Sequence, residues 1–169
     1  MEEVVVQRHA KKRLLVTAAL LLVLAAGVGS AAFVFLRQTS PIPASISKSI
    51  PFTIYYPDQK KLPMGYSFNS ASLSSNDQAV VYRIDRNGRQ AFAVTVQAKP
   101  IDDVINNFDS KSIPLHIAQI TPVGTAYIGA IGSQTVVSLP TNGNAWILIT
   151  GPANGNQSEL KQVLQSLKR

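Results

Sequence analysis

The sequence predicts an α+β protein in which an N-terminal transmembrane helix is followed by an antiparallel sheet of about six to seven strands with two packed helices. Three observations support this fold class. An apolar run of 23 residues near the N-terminus carries no charge. The rest of the chain contains short alternating segments separated by turn residues, which is typical of strands. Two segments with helical periodicity come late and do not alternate with the strands as in a parallel βαβ sheet.

The apolar run at residues 14–36 has the length of a transmembrane helix. At 1.5 Å per residue it would span roughly 34 Å, slightly more than the hydrocarbon core of a bilayer. In lipid a single segment satisfies its own backbone only as a helix. We therefore expect residues 14–36 to be helical, with the lipid bilayer as their partner.

The charges that flank this run predict its orientation. Four basic residues lie within the six positions before it, whereas only Arg37 and Lys48 follow it before the domain. Lys and Arg favour the cytoplasmic side of a membrane helix. We expect a basic cytoplasmic tail at residues 1–13 and an extracytoplasmic C-terminal domain on the plasma membrane.

A cleaved signal peptide is the alternative to this anchor. Ser30-Ala31-Ala32 is a suitable small-residue cleavage site after a basic region and an apolar stretch. However, the apolar run continues to Leu36, which makes it longer than the usual apolar region of a signal peptide. An uncleaved anchor is the leading interpretation, and a secreted protein cleaved near Ala32 is the other.

A linker and one domain are predicted after the membrane helix. Residues 37–50 are rich in proline and serine, which favours an extended, solvated backbone. Residues 51–169 are long enough to bury a hydrophobic core as one extracytoplasmic α+β domain. The chain has no cysteine, so neither a disulfide nor an acylated cysteine is possible.

Four strands are predicted in the first half of the domain, at residues 52–56, 66–73, 79–85 and 90–98. The last two flank Asn87-Gly88, the preferred centre of a type I′ hairpin turn. A regular hairpin with this turn would place Val81 opposite Val94, and Tyr82 opposite Ala93 on the other face. Apolar residues on both faces predict that both faces are at least partly covered.

A helix is predicted to begin at Pro100. Ile101, Val104, Ile105 and Phe108 follow the helical spacing of an apolar stripe. Asp102 and Asp103 would lie in the first turn, where the helix dipole favours acidic residues. Strands are then predicted at residues 115–121, 125–131, 134–139 and 145–150, with a second Asn-Gly turn at 142–143.

The chain should end in an amphipathic helix. Asn156 is a suitable N-cap, and Glu159 three residues later matches a capping box. Leu160, Val163 and Leu164 would form the apolar face of this helix. Glu159 is the only glutamate of the domain, and the cap accounts for it.

Composition and motifs exclude several classes of function. The formal charge of the chain is +7, but the domain alone has ten basic and seven acidic residues. These are not clustered with stacking aromatics, so we expect no nucleic-acid partner. The sequence contains neither a P-loop nor a G-x-G-x-x-G motif in the domain, so we expect no cofactor. We also expect no metal site, because the domain has one histidine and no cysteine.

His116 is the one residue that could support catalysis. Serines and aspartates are plentiful, so a Ser–His–Asp arrangement is compatible with the composition, but no G-x-S-x-G elbow is present. Asp77 and Asp85 lie in or near predicted turns, and Asp102 and Asp103 fit the start of a helix. A lone histidine in a predicted strand is more typical of a surface position, so we assign no catalytic residue.

A binding surface would draw on the large residues of the domain. Aromatic residues in strands usually belong to the core. The candidates are Tyr55, Tyr56, Tyr66, Phe68, Tyr82, Tyr127 and Trp146.

Four segments of the chain follow a known pattern: Leu62-Pro63-Met64-Gly65-Tyr66 before a strand, the hairpin VVYRIDRNGRQAFAVTVQ, the stretch VGTAYIGAIGSQTVVSLPTNGNAWILITGP, and the final SELKQVLQSLKR. Together they resemble a bacterial extracytoplasmic domain of unknown function that occurs C-terminal to the membrane helix in anti-sigma-factor-like regulators. Trp146, Ile149-Thr150-Gly151 and the pair Glu159-Leu160 lie at matching places. The resemblance covers roughly residues 62–168 and implies no catalytic residue. The chain departs from the pattern in its predicted cytoplasmic tail of 13 residues, which is too short for an anti-sigma domain.

These observations favour a single-pass, membrane-anchored, non-enzymatic extracytoplasmic module. It would bind a protein, a peptide or an envelope component as an accessory or sensory protein. The alternatives are an envelope hydrolase that uses His116 and the secreted protein described above.

Overall fold

A seven-stranded antiparallel sheet is the framework of the computed structural model, which describes residues 40–153 and 155–169. The predicted tail at 1–13 and the predicted transmembrane helix at 14–36 lie outside these residues. None of the helices that the structure describes is long and apolar enough to cross a membrane.

The elements follow one another along the chain with short connections. In the part of the chain that the structure describes, they are α1 Ala44–Ser49, β1 Tyr56–Pro57, β2 Tyr66–Ser75, β3 Ala79–Arg86, β4 Arg89–Ala98, α2 Asp102–Ser112, β5 Ile117–Thr121, β6 Gly124–Ile131, β7 Gln134–Pro140, β8 Ala145–Pro152, α3 Gln157–Ser166 and β9 Leu167–Lys168.

The strand order of the large sheet is β2-β3-β4-β8-β7-β6-β5. Two meanders, β2 to β4 and β5 to β8, therefore meet at the β4–β8 pair. Helix α2 connects the central strand β4 to β5 at the far edge of the sheet. This arrangement confirms the predicted α+β class and antiparallel sheet, and it leaves β2 and β5 as the two edges.

One face of the sheet carries the main hydrophobic core. Alternate residues of the central strands, among them Tyr82, Val94, Val137 and Ile149, are fully or almost fully buried there. Helix α3 contributes Leu160, Val163 and Leu164 to the same cluster. The segment before β2 completes it with Ile42, Ile50, Phe52, Tyr55 and Tyr56.

The opposite face is covered by α2. Phe108 packs edge-on against Trp146, with ring centroids 5.3 Å apart. The Trp146 indole Nε1 donates a 3.0 Å hydrogen bond to the buried Ser138 hydroxyl. After α2, Ile113 is fully buried. A β-carbon added to Gly129 would lie 2.6 Å from the Cβ of Ile113. The glycine therefore lets the segment after α2 approach the sheet closely.

The β3–β4 hairpin confirms the predicted type I′ turn but not the predicted register. Asn87 and Gly88 have φ angles of 52° and 77°. Asp85 pairs with Gln90 and Ile84 with Phe92, so Ala91 is an extra residue in β4. This bulge places Val81 opposite Thr95 and Tyr82 opposite Val94. The predicted pairs were wrong because one inserted residue exchanges the partners beyond it.

The predicted extended linker is wrong for its described part. Residues 44–49 form helix α1, and Ile42 and Ile50 on either side of it are buried against the core. Contacts place Pro41–Arg169 in one compact unit. Burial of these two isoleucines against the core outweighs the preference of the proline and serine residues for solvent.

The other predicted elements differ from the structure mainly at their ends. The predicted strand at 52–56 is the largest exception, because only Tyr56 is in a strand, β1, where it pairs with Lys168 of β9. Phe52 and Tyr55 are buried without a strand partner in the described residues. The apolar character of this segment therefore reflects anchoring to the core rather than sheet pairing.

Candidate functional site

The β2 edge of the sheet is closed by a side chain. Gln59 Nε2 donates to the Tyr66 carbonyl, and Gln59 Oε1 accepts from the Phe68 backbone N–H, each at 3.0 Å. The amide thus replaces a neighbouring strand at two backbone groups. An irregular register between Asn69 and Ser74 further interrupts this edge. Such devices prevent edge strands from pairing with other chains.

The β5 edge is more open. Among the described residues β5 pairs with β6 alone. Its apolar side chains are exposed, with relative accessibilities of 57% at Ile117 and 80% at Ile120, and Leu115 just before it reaches 93%. Gln165 Nε2 of α3 donates a 2.8 Å hydrogen bond to the Ile120 carbonyl, so one backbone group of this edge is occupied.

A groove of about 210 Å³ lies beside this edge, between the first half of α3 and strands β5 to β7. We call it the docking groove. Its apolar lining is aliphatic and its charged group is a lysine. Its lining includes Leu115, Ile117, Ile128, Ala130, Leu160 and Lys161.

Helix α3 positions the polar side of the docking groove. Leu160 and Leu164 point into the core. Lys161 and Gln165 are four residues apart and therefore lie on one side of the helix, one above the other. Since Gln165 reaches the β5 edge, Lys161 stands above the same edge one turn earlier, where it lines the groove.

Lys161 has no ion-pair partner within residues 40–153 and 155–169. The ion pairs found there are Arg86–Glu159, Lys99–Asp102 and Lys168–Asp58. The groove therefore combines an apolar lining with a positive charge that the described part of the domain leaves uncompensated.

His116 lies at the entrance to β5 and is exposed. Its Nδ1 is 2.8 Å from the Ile113 carbonyl, and its ring packs edge-on against Tyr127 with centroids 5.1 Å apart. A carbonyl can only accept, so Nδ1 carries the proton in this bond. The described surroundings pair His116 with a carbonyl and a tyrosine, which fixes the turn before β5.

The acidic candidates are separated. Asp102 pairs with Lys99 at 3.3 Å in the first turn of α2. Asp103 and Asp77 are exposed. Asp85 is buried, with Oδ2 accepting a hydrogen bond from Asn69 Nδ2. No group of three or more His, Cys, Asp or Glu side chains able to hold a metal occurs in the described residues.

Among the residues that the structure describes, two buried carboxylates have an oxygen without a hydrogen-bond partner: Oδ1 of Asp85 and Oδ1 of Asp109. Asp109 lies on the same side of α2 as Ile105, four residues earlier, and that side packs on the sheet. This burial was not predictable from the sequence, because an aspartate in an amphipathic helix is normally placed on the solvent face.

Glu159 has a different role from the predicted one. Asn156 is the N-cap as expected, and its side chain accepts from the Ser158 N–H. Glu159, however, accepts from the Tyr66 hydroxyl at 2.9 Å and pairs with Arg86 at 3.1 Å. The pKa of Tyr66 is raised, mainly by burial of the phenol and secondly by this hydrogen bond. These contacts attach α3 to the first hairpin.

The aromatic candidates do not form an exposed surface. Tyr55, Tyr56, Tyr66, Tyr82 and Trp146 are buried. Phe68 and Tyr127 are partly buried. The exposed apolar residues at the β5 edge are aliphatic and were missed. A signal was present in the sequence, because the predicted strand 115–121 has apolar residues on both of its faces. Its neighbouring strands were unknown, however, so its position at an edge was not recognised.

Comparisons with known proteins add little to this picture. No family model matches the chain, and no curated protein matches it. A crystal structure of a protein from Bacteroides thetaiotaomicron is similar, with 13% sequence identity and a TM-score of 0.36. The similarity covers 63% of this chain and 42% of that one, so the chain spans less than half of the matched protein. A likeness this distant carries no argument about function, and the resemblance to anti-sigma-factor-like regulators stays a prediction.

Proposed function

We propose that this protein is a membrane-anchored, non-enzymatic extracytoplasmic module that binds a partner protein or peptide through the docking groove and the β5 edge. The observation that carries the proposal is the contrast between the two edges of the sheet. Gln59 closes the β2 edge at two backbone groups. In contrast, β5 presents exposed isoleucines beside an aliphatic groove that Lys161 also lines.

The burial of the aromatic residues supports the choice of this surface. A monomeric protein normally avoids a cluster of exposed aliphatic residues along an edge strand, because such strands pair with other chains. Large exposed apolar patches in soluble domains commonly mark interaction sites. Three exposed aliphatic residues lie within this one short segment, Leu115 and Ile117 on one side of the strand and Ile120 on the other.

The polar groups of the domain are occupied in ways that favour binding over catalysis. His116 is bonded to the Ile113 carbonyl, and Glu159 joins Tyr66 to Arg86. Asp102 forms an ion pair with Lys99 at the start of α2. Each of these contacts has a structural explanation, so no acid, base or nucleophile needs to be assigned.

The membrane topology is tested with a C-terminal tag and protease treatment of intact cells. We expect the tag to be lost from a membrane-bound chain of full-length mass, because the domain is proposed to lie outside. A tag that stays protected until the cells are lysed would contradict the topology. A chain about 3 kDa shorter in the medium would instead indicate cleavage near Ala32.

The binding surface is tested by photocrosslinking in living cells. A benzophenone amino acid replaces Ile117 in the β5 edge, and in a matched variant it replaces Ile101, an apolar residue of 72% exposure. We expect a discrete adduct from position 117 and little from position 101. Equal adducts from both positions would show that exposure alone governs crosslinking, and the proposed surface would be wrong.

A further inference from the structure

We infer that the partner contributes an extended peptide segment, which joins the sheet as an additional strand beside β5 and places an acidic side chain opposite Lys161. This inference rests on the proposed binding function and specifies the chemistry of the partner. It follows from three features of the edge: its free backbone groups, its apolar side chains and its charge.

The backbone of β5 offers hydrogen bonds in the right direction. The Ile120 carbonyl accepts from Gln165, which lies outside the β5–β6 pair, so it points away from β6. In an antiparallel pair the N–H and C=O of alternate residues point to the same side. Ala118, two residues earlier, therefore directs its N–H and C=O to the open edge, where an added strand can pair with both.

The side chains around Ala118 provide apolar contacts for such a strand. Leu115 and Ile117 line the docking groove on the α3 side of the sheet. Cross-strand neighbours have their β-carbons about 5 Å apart, so an apolar residue of the added strand would lie against Ile117 and enter the groove. Ile120 is exposed on the other side of the strand.

Charge selects the class of peptide. Lys161 stands over the edge and lacks an ion pair in the described part of the chain. Successive side chains of a strand alternate between the two faces of the sheet. An acidic residue that reaches Lys161 must therefore lie an even number of positions, most simply two, from the apolar residue that fills the groove.

A second copy of this chain fits the edge less well. The β5 sequence Ile117–Thr121 has no acidic residue, and the edge side of α3 presents Lys161 and Gln165. Glu159 is bonded to Tyr66 and Arg86. A copy docked through the same edge would thus bring no free carboxylate to Lys161, whereas an acidic peptide would.

The test uses the full-length protein in detergent micelles and an array of acetylated, amidated heptapeptides. Threonine occupies positions 1, 3, 5 and 7, while positions 2, 4 and 6 vary among leucine, glutamate, lysine and threonine. Positions 2, 4 and 6 share one face of an extended peptide, and we expect binding to require both a leucine and a glutamate among them. Replacing that glutamate with lysine should weaken binding about fivefold, since it removes a partly exposed ion pair.

Charge reversal separates direct recognition from loss of structure. Lys161→Glu should reverse the preference, so that lysine peptides bind better than glutamate peptides. Lys60→Glu changes the net charge equally at an exposed position near β1 and should preserve the original preference. A preference that survives Lys161→Glu, or that reverses in both variants, would overturn the inference.

The outcomes also distinguish this inference from the proposed function. Crosslinking at position 117 combined with an array in which peptides with both leucine and glutamate bind no better than the others would mean that a partner binds the surface in another way. The proposed function would then stand, and the strand-addition inference would fail. A full-length dimer that is disrupted by Ile117→Lys and ignores the peptides would show a second copy at this edge and would also overturn it.

Discussion

The Tyr66 hydroxyl donates a 2.9 Å hydrogen bond to Glu159 Oε2 across 93 residues of sequence, and this bond attaches α3 to the first strand of the large sheet. Arg86 strengthens the attachment, since its guanidinium pairs with the other carboxylate oxygen and lies 5.6 Å from the centre of the Tyr66 ring. Together with the core contacts of Leu160, Val163 and Leu164, this cluster fixes the position of α3 and hence of Lys161.

Glu159→Gln should therefore destabilise the protein by about 1–2 kcal/mol, because a charge-assisted bond and an ion pair are replaced by a neutral amide. Urea denaturation of the full chain in micelles measures the effect. Asp103→Asn, which removes an exposed carboxylate from α2, serves as the control and should change the midpoint little. An equal shift in both variants would mean that net charge, and not the cluster, is responsible.

Alkaline pH should unfold the protein through its buried tyrosines. Burial raises the pKa of Tyr82 and Tyr66 in the folded state. The folded chain thus holds these protons more tightly than the unfolded chain, whose tyrosines titrate near pH 10. Their contribution to stability is complete below about pH 10 and is lost as pH rises toward the folded-state values.

Tyr82→Phe tests this linkage. The variant loses the 2.9 Å hydrogen bond from the Tyr82 hydroxyl to the Tyr55 carbonyl, so it should be less stable at pH 7 by about 1 kcal/mol. Its stability should nevertheless decline less steeply above pH 10, since the most buried phenol no longer ionises. Denaturant midpoints between pH 7 and 11 decide the question, and parallel declines in both proteins would contradict it.

Trp146 and Ser138 should behave as a coupled pair. Trp146→Phe removes the indole donor and leaves the buried Ser138 hydroxyl without it, which should cost about 1–3 kcal/mol. Adding Ser138→Ala should recover part of this loss, because the stranded hydroxyl is then absent. A double variant whose stability equals the sum of the single losses would show that the two residues act independently.

The two Asn-Gly turns should respond differently to the same substitution. Asn87 has a positive φ of 52°, whereas Asn142 is not among the residues with positive φ. Asn87→Ala should cost about 1 kcal/mol, since alanine tolerates the left-handed region poorly. Asn142→Ala is the matched control and should cost less. Thermal or urea midpoints that fall equally would argue that the backbone conformation is not the cause.

Closure of the β2 edge should control self-association. Gln59→Ala exposes the Tyr66 carbonyl and the Phe68 N–H, two groups that another edge strand can pair with. Light scattering of the concentrated protein in micelles should show more association than in the wild type. Gln78→Ala, at an exposed turn, should leave the association state unchanged. Identical scattering from both variants would assign Gln59 a purely local role.

Local chemistry made part of this fold predictable. The type I′ turn followed from the Asn87-Gly88 pair, and the start of α3 followed from the capping side chain of Asn156. In both cases the conformation depends on residues only a few positions apart. The antiparallel arrangement of the large sheet, and its approximate size of six to seven strands, followed from turn spacing and from the lack of βαβ alternation.

Features that depend on distant partners were not predictable. Ala91 becomes a bulge only in the context of the whole hairpin, and a regular register looked equally suitable. Ile42 and Ile50 adhere to a core assembled from residues far along the chain. Prediction of the docking groove would have required the strand order, because only the edge position of β5 explains why Ile117 is exposed.

The short ribbon formed by β1 and β9 determines how the C-terminal end of the domain resists a pulling force. Tyr56 pairs with Lys168 and Pro57 with Leu167, so the strand ends that lead toward the two ends of the chain lie together at one end of the ribbon. Ile42, Ile50 and Phe52 hold the segment before Tyr56 on the core, so tension applied to the C-terminal end would open these two pairs one after the other, as in unzipping, instead of shearing them simultaneously. The C-terminal strand would be the first to peel away from β1, while the hydrogen bonds of the large sheet would still be intact.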